Sequence, residues 1–467
     1  MKRISIILFT IFLSTIGYSQ EISGVWNGAI QVGANKKINF IFKIEKKDTG
    51  YHTVVDVPTQ RVTGIQSKAT HFKDGELIVD ITNVGMNYKG RYNKDKEQFE
   101  GEVTEGASSF PLILSRGNIE ISEPRNNRPQ EPVKPYPYKA EEVSFENTGA
   151  GISLAGTLSL PQQSKKHPAV ILISGSGPQD RDETISGHKP FLVLADHLTR
   201  QGIAVLRYDD RGFGQSTGDH SAATTEDFAT DVMSAVAYLK TRDDIDSNNI
   251  GLIGHSEGGI IAPLAANKLG DIAFVVSLAG TGISGTELSV IQSRTLRPFP
   301  VPDEEAYEKA VRKAIEIAVS DKEISVIKEE LRAHYAETTV PILKNFITSE
   351  EELNKVIEGI IGLRTSKWSR YFYQYNPADE YAKLNCPVLS LNGSKDTQVE
   401  AKINQEGLRK ALLKGKNPDF KILELPGLNH FFQECETGAM NEYQKIEQTF
   451  SPIALNEVSG WILERLK

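Results

Sequence analysis

Asn249-Ile250-Gly251-Leu252-Ile253-Gly254-His255-Ser256-Glu257-Gly258-Gly259-Ile260-Ile261-Ala262-Pro263-Leu264-Ala265-Ala266 runs from an apolar, β-rich segment through G-x-S-x-G into a small-residue helical segment. Strand, G-x-S-x-G, helix is the setting in which a serine occupies a sharp, strained turn with its hydroxyl exposed. Gly254 and Gly258 belong to that turn because a side chain at either would collide with the neighbouring strand or helix. The pattern alone recurs by chance. Its meaning depends on whether an acid and a histidine follow at suitable places.

Both follow. The histidines after Ser256 are His334 and His430. His334 falls in a charged helical run, where a solvated surface role is expected. His430 follows the strand-like run 420–425 through Pro426-Gly427-Leu428-Asn429, at the carboxyl edge of a sheet, where α/β enzymes place their chemistry. Asp396 closes Pro387-Val388-Leu389-Ser390-Leu391-Asn392-Gly393-Ser394-Lys395-Asp396, just past another buried strand. An aspartate there also suits the start of the following helix. The order Ser256, Asp396, His430 is nonetheless that of the nucleophile-elbow enzymes. An oxyanion needs donors, expected from the backbone N–H of Glu257 and, in the small-residue loop Ser174-Gly175-Ser176-Gly177-Pro178, from that of Ser176.

Working outward, strands and helices alternate from about 141 to 279 and again from 387 to the end, which predicts a mostly parallel sheet covered on both faces. Between them, about 284–379 is helical and rich in charge, and reads as a lid. Its end, Trp368-Ser369-Arg370-Tyr371-Phe372-Tyr373-Gln374-Tyr375, either lines a substrate pocket or docks the lid on the body. Arg207-Tyr208-Asp209-Asp210-Arg211-Gly212-Phe213-Gly214-Gln215-Ser216 reads as a structural turn tied by Asp/Arg pairs.

Residues 20–117 alternate with period two, as at Ile38, Phe40, Phe42 and Ile44, and predict seven or eight antiparallel strands in a small barrel or sandwich. Trp26, Tyr51, Tyr88 and Tyr92 fit a sugar-binding face or, more simply, core packing. Residues 118–140 carry Pro124, Pro129, Pro132, Pro135 and Pro137 and read as a semi-rigid linker. At the start, Lys2-Arg3, an apolar run to Ile16 and Gly17-Tyr18-Ser19 predict a signal peptide over 1–19, too short to span a membrane.

The chain has 467 residues, 39% hydrophobic and 24% charged, with net charge −8. Loss of Lys2 and Arg3 would leave a more acidic exported protein, unsuited to nucleic acid or an anionic membrane surface. Cys386 and Cys435 are expected at opposite ends of the sheet, out of disulfide reach and buried. Histidines and cysteines lack metal-site spacing, so no metal or cofactor is expected.

Taken together, the body resembles the α/β-hydrolases, and among them the secreted or periplasmic esterases grouped with the serine aminopeptidase (S33-like) set. The matching runs are Ser174–Asp182, Asp209–Ser216, Gly254–Gly258, Asn392–Asp396 and Leu428–His430, spread over 141–467. The first carries Ser174 where lipases commonly have histidine. The resemblance implies a helical-lidded α/β-hydrolase fold preceded by a small all-β domain. It also implies a serine esterase with triad Ser256, Asp396 and His430 and oxyanion donors Ser176 and Glu257, acting on a small-molecule or oligosaccharide ester. A serine peptidase on the same triad is the alternative, and a silent carbohydrate-binding protein a more distant one.

Overall fold

A computed structural model describes residues 21–466 apart from 33–35, 49, 59–61, 106–107, 118–127 and 163–165. The expected signal peptide and the first half of the linker lie outside the described residues.

The N-terminal region is a closed antiparallel barrel of nine strands between Gly24 and Arg116, one or two more than the alternation counted. The strand Gly24–Val32 pairs with both Lys36–Lys47 and Ser108–Arg116, and Lys36–Lys47 pairs onward with Gly50–Val57, which closes the ring. Closure removes the exposed edges that an open sheet would present. Alternate side chains point inward: Phe40, Phe42, Ile44, Leu77, Val79, Ile81, Leu112 and Leu114 are buried. Trp26 and Tyr88 lie wholly inside, and Tyr51 and Tyr92 pack against the same core. Trp26 makes edge contacts with Phe99 and Tyr92 at centroid distances of 4.7 and 6.2 Å, and its Nε1–H donates to the Ile22 carbonyl. These rings are core, not a sugar platform.

The second sheet has eight strands in the spatial order Lys139–Asn147, Ile152–Leu160, Ala204–Tyr208, His167–Ile173, Ile245–His255, Phe274–Leu278, Val388–Gly393 and Phe420–Leu425. The first two pairings are antiparallel and the remaining five parallel. Helices Pro190–Arg200 and Pro452–Arg465 cover one face, while Thr225–Lys240, Gly258–Leu269 and Ala401–Gly415 cover the other. Central strands are therefore apolar on both sides, with Val388, Leu389 and Leu391 fully buried.

Local chemistry sets the helix ends. Thr224 and Asp227 form a reciprocal capping box at the start of Thr225–Lys240. Pro263 inside Gly258–Leu269 has no N–H for the Gly259 carbonyl, and the Tyr381 hydroxyl donates to that carbonyl instead, at 2.6 Å.

Seven helices from Gly285–Thr295 to Pro377–Tyr381 form the lid. They enclose a core of their own, including Ala314, Ile327, Leu331, Tyr335 and Ile361. A second cluster, with Leu288, Val311, Ile315 and Phe372, packs on Ile260 of the body.

Two features escaped the sequence. Phe213 leaves the body and is buried in the barrel core. The linker from Arg128 onward is bound to the body: Gln130 donates to the Phe450 carbonyl at 2.6 Å and accepts from the Thr449 N–H at 2.7 Å. Cys386 and Cys435 are free, as expected, but only half-buried, because each sits in a connection and not inside a strand.

Candidate active site

The strand Ile245–His255 ends one residue before Ser256, and the helix Gly258–Leu269 begins two residues after it. So tight a reversal needs unusual backbone. Ser256 has φ of +53°, a left-handed value that costs a non-glycine residue about 1 kcal/mol or more. A Cβ on Gly254 would meet the Gly258 carbonyl oxygen at 1.9 Å, and one on Gly258 the Ile173 carbonyl oxygen at 2.2 Å. Ser256 remains partly exposed while its neighbours are buried, and its N–H donates to the Leu278 carbonyl.

Asp396 and His430 follow the last two strands, Val388–Gly393 and Phe420–Leu425, at the same edge of the sheet. His430 Nδ1–H donates to Asp396 Oδ2 at 2.7 Å, and both side chains are buried. The other carboxylate oxygen, Oδ1, accepts the backbone N–H groups of Gln398 and Val399, each at 2.8 Å. Asp396 therefore holds the turn before the helix with one oxygen and the histidine with the other, while the helix Ala401–Gly415 starts farther on, behind Glu400, so Asp396 does not cap it. With Nδ1–H engaged, His430 Nε2 is left as the basic nitrogen.

The loop after His167–Ile173 passes beside the serine. A Cβ on Gly175 would lie 3.1 Å from Ser256 Cβ. The backbone N–H groups of Ser176 and Glu257 enter no hydrogen bond among the described residues, which leaves two donors beside the elbow.

The Glu257 side chain turns inward. Its Oε1 accepts from Thr225 Oγ1 at 2.6 Å and from Trp368 Nε1 at 2.8 Å, and the Ser176 hydroxyl also bonds to this carboxyl. Burial pushes the carboxyl above the usual range despite these donors. Trp368 stacks on Phe372 at 5.0 Å, so this part of the aromatic run docks the lid directly on the elbow.

The Arg207–Ser216 turn is pinned by carboxylates. Asp209 receives Arg181 through Nε at 3.0 Å and Nη2 at 2.8 Å, and Asp210 receives the Ser174 hydroxyl at 2.7 Å. Burial drives the Asp210 carboxyl well above its ordinary value.

One pair was missed from sequence. Glu183 is buried with φ of +52°, and its Oε1 lies 2.8 Å from Nδ1 of His255, the residue before Ser256. The two are 72 positions apart, and the only signal was the charged end of the Ser174–Asp182 run.

The arrangement presents a strained serine, a buried histidine–aspartate couple and two free backbone donors at one sheet edge. A family profile described as "Serine aminopeptidase, S33" matches residues 189–301, across the elbow.

The body has the α/β-hydrolase fold.

Known relatives resemble this chain over part of its length. Esterase EstD of Thermotoga maritima is 26% identical over 333 residues, 70% of this chain and 70% of its own. An uncharacterized 31.7 kDa protein of Escherichia coli is 27% identical over 265 residues, 55% of this chain and 81% of its own. The ferulic acid complex of Est1E from Butyrivibrio proteoclasticus is 18% identical with a TM-score of 0.42, covering 69% of this chain and 99% of that one. Among the described residues no helix is long and apolar enough to cross a membrane.

Proposed function

We propose that this chain is an exported serine hydrolase that cleaves carboxylic esters through an acyl-enzyme. The observation that carries the reading is the buried Asp396–His430 couple, 2.7 Å apart, at the sheet edge where Ser256 holds its strained elbow. Ser256 Oγ attacks the ester carbonyl as His430 Nε2 takes its proton. The N–H groups of Glu257 and Ser176 hold the oxyanion, and removing one such donor typically costs about 10²–10³ in rate. His430 returns the proton to the leaving alcohol. Water then attacks the acyl-enzyme with His430 again as base, releasing the acid and restoring Ser256. Asp396 keeps the imidazole in the tautomer that leaves Nε2 free and stabilises the cation that forms.

Preference for esters over peptides is supported by the esterase among the relatives and by the lid. A peptidase that trims chain ends needs carboxylates to grip a free amine. Glu350, Glu351 and Glu352 instead form the exposed first turn of the helix Glu350–Arg364, where they complement the helix dipole. The substrate class we assign is a small-molecule or oligosaccharide ester, and export rests on the character of residues 1–19.

A fluorophosphonate probe followed by peptide mapping tests the nucleophile, with short-chain aryl esters and aminoacyl amides compared in parallel. Labelling at Ser256 and faster ester turnover are expected. Absence of labelling removes the serine hydrolase, and amide turnover far above ester turnover makes it a peptidase.

A further inference from the structure

The triad leaves one buried titratable pair unused. His255 is 4% exposed and Glu183 2%. Both imidazole nitrogens of His255 face acceptors. Nδ1 lies 2.8 Å from Glu183 Oε1, and Nε2 lies 3.0 Å from the main-chain carbonyl oxygen of His430. A neutral imidazole has one donor and one acceptor nitrogen, so it can serve only one of these partners. A second proton satisfies both. It must reside on the ring or on Glu183, and the Gly175 N–H, which also donates to Glu183 Oε1 at 2.9 Å, favours an ionised carboxylate.

We propose that His255 is a buried imidazolium paired with Glu183, and that the pair is a positioning device joining the oxyanion loop at Gly175 to the main chain of the catalytic His430. The chain of bonds runs Gly175 N–H, Glu183 carboxylate, His255 ring, His430 carbonyl, and passes through the residue before Ser256. It therefore fixes the distance between the donor loop and the base by a route independent of the Asp396 bond. The His255 ring also lies against His430 and Phe431, at centroid distances of 4.7 and 4.8 Å, which blocks tilting of either ring. Burial opposes a charge on His255, but the adjacent Glu183 carboxylate and the His430 carbonyl outweigh it, and the ring's pKa lies above the ordinary value. The charged groups that face it are Glu183 and, farther off, Asp396. The left-handed backbone at Glu183 fits a residue held by its side-chain contacts against local strain.

The role of the pair in turnover rests on the ester hydrolase reading, whereas its protonation state does not. ¹⁵N NMR of histidine-labelled wild-type protein at pH 7.5 reads that state directly, with the His255 signals identified by their change in Glu183→Gln. Two protonated ring nitrogens are expected, and a single bare nitrogen on His255 overturns the proposal. Kinetics on p-nitrophenyl acetate, normalised to fluorophosphonate-reactive Ser256, test the positioning. Glu183→Gln and His255→Gln should each lower kcat roughly 10- to 100-fold with KM within about twofold, the scale of a small misplacement of reacting groups. Glu183→Asp should recover part of the loss. Unchanged kcat per reactive serine in Glu183→Gln, or a loss carried by KM, overturns it. If wild-type protein cleaves no ester, the NMR result and the rate of fluorophosphonate labelling still decide the matter.

Discussion

The barrel and the body spend backbone strain in different places. Among the described residues of the barrel, the non-glycine residues with positive φ are Asp74 and Glu97, both on exposed turns between strands. In the body six described residues have it: Lys416 at the exposed end of the helix Ala401–Gly415, Ser186 in the loop before Pro190–Arg200, and Glu183, Ser256, Ala279 and Phe432, the last four at or beside the carboxyl edge of the sheet. Glu183, Ala279 and Phe432 are buried there. A turn tip with positive φ merely reverses the chain. A buried one must be held by its surroundings, and it is kept where it aims a group. Polar burial differs in kind: the barrel buries a hydroxyl cluster of Thr53, Ser67 and Thr70 and the carboxylate of Asp56, while the sheet edge buries the titratable groups Glu183, His255, Glu257, Asp396 and His430.

Substitutions at the sheet edge should therefore remove activity and spare the fold, and substitutions in the barrel should do the reverse. The largest effect is expected from Ser256→Ala, with kcat on aryl esters down on the order of a millionfold. Its thermal midpoint should stay close to wild type. A fall in stability without loss of turnover would break the comparison at once. Asp396→Asn should cost roughly ten-thousandfold in kcat through the wrong imidazole tautomer, measured on the same substrates.

Trp26→Ala probes the other side. Emptying that site should destabilise the protein by about 3–5 kcal/mol in denaturant unfolding while turnover per folded molecule is retained. A specific loss of kcat would place the barrel in catalysis.

The carboxyl of Glu257 sharpens the comparison through pH. Its native pKa lies above its ordinary value near 4.5 because it is buried. Between those two values the native state holds a proton that the unfolded chain has released. Stability should therefore fall as pH rises through that window and level off above it. Glu257→Gln should flatten this part of the profile of thermal midpoint against pH, and an unchanged slope would assign it to another group.

The smallest effect concerns Cys386 and Cys435, which form no disulfide with each other. Reducing agent should leave the thermal midpoint unchanged, and Cys435→Ser should shift stability by no more than about 0.5 kcal/mol. A drop on reduction would show that the two thiols had paired.

How far the sequence could be read follows from how local each signal is. The elbow announces itself in six consecutive residues, and Asp396 and His430 are legible because each closes a strand that can be recognised beforehand. The barrel's alternation is also local, although weak pairing such as that of the short strands Val62–Gln66 and Ala69–Lys73 left the strand count low. The lid helices show in their runs of charged helix formers. What stayed hidden depends on contacts between distant positions. Glu183 meets His255 only after the strands Ala204–Tyr208 and Ile245–His255 have folded, Trp368 finds Glu257 across the whole lid, and Phe213 sits in a glycine- and charge-rich run that resembles any polar turn. The thiols were misjudged because placing a residue near a strand does not settle whether the strand or its connection holds it.

Phe213 changes what the proline-rich stretch divides. By composition, 118–140 is the seam of the chain, yet the barrel's core is completed by a ring that the body supplies from the far side of that seam. A barrel cut free at the prolines would carry a hole where Phe213 belongs, and a body cut free would expose an aromatic side chain to water. The two halves therefore share one interior, so that they should melt in a single transition and be inherited together.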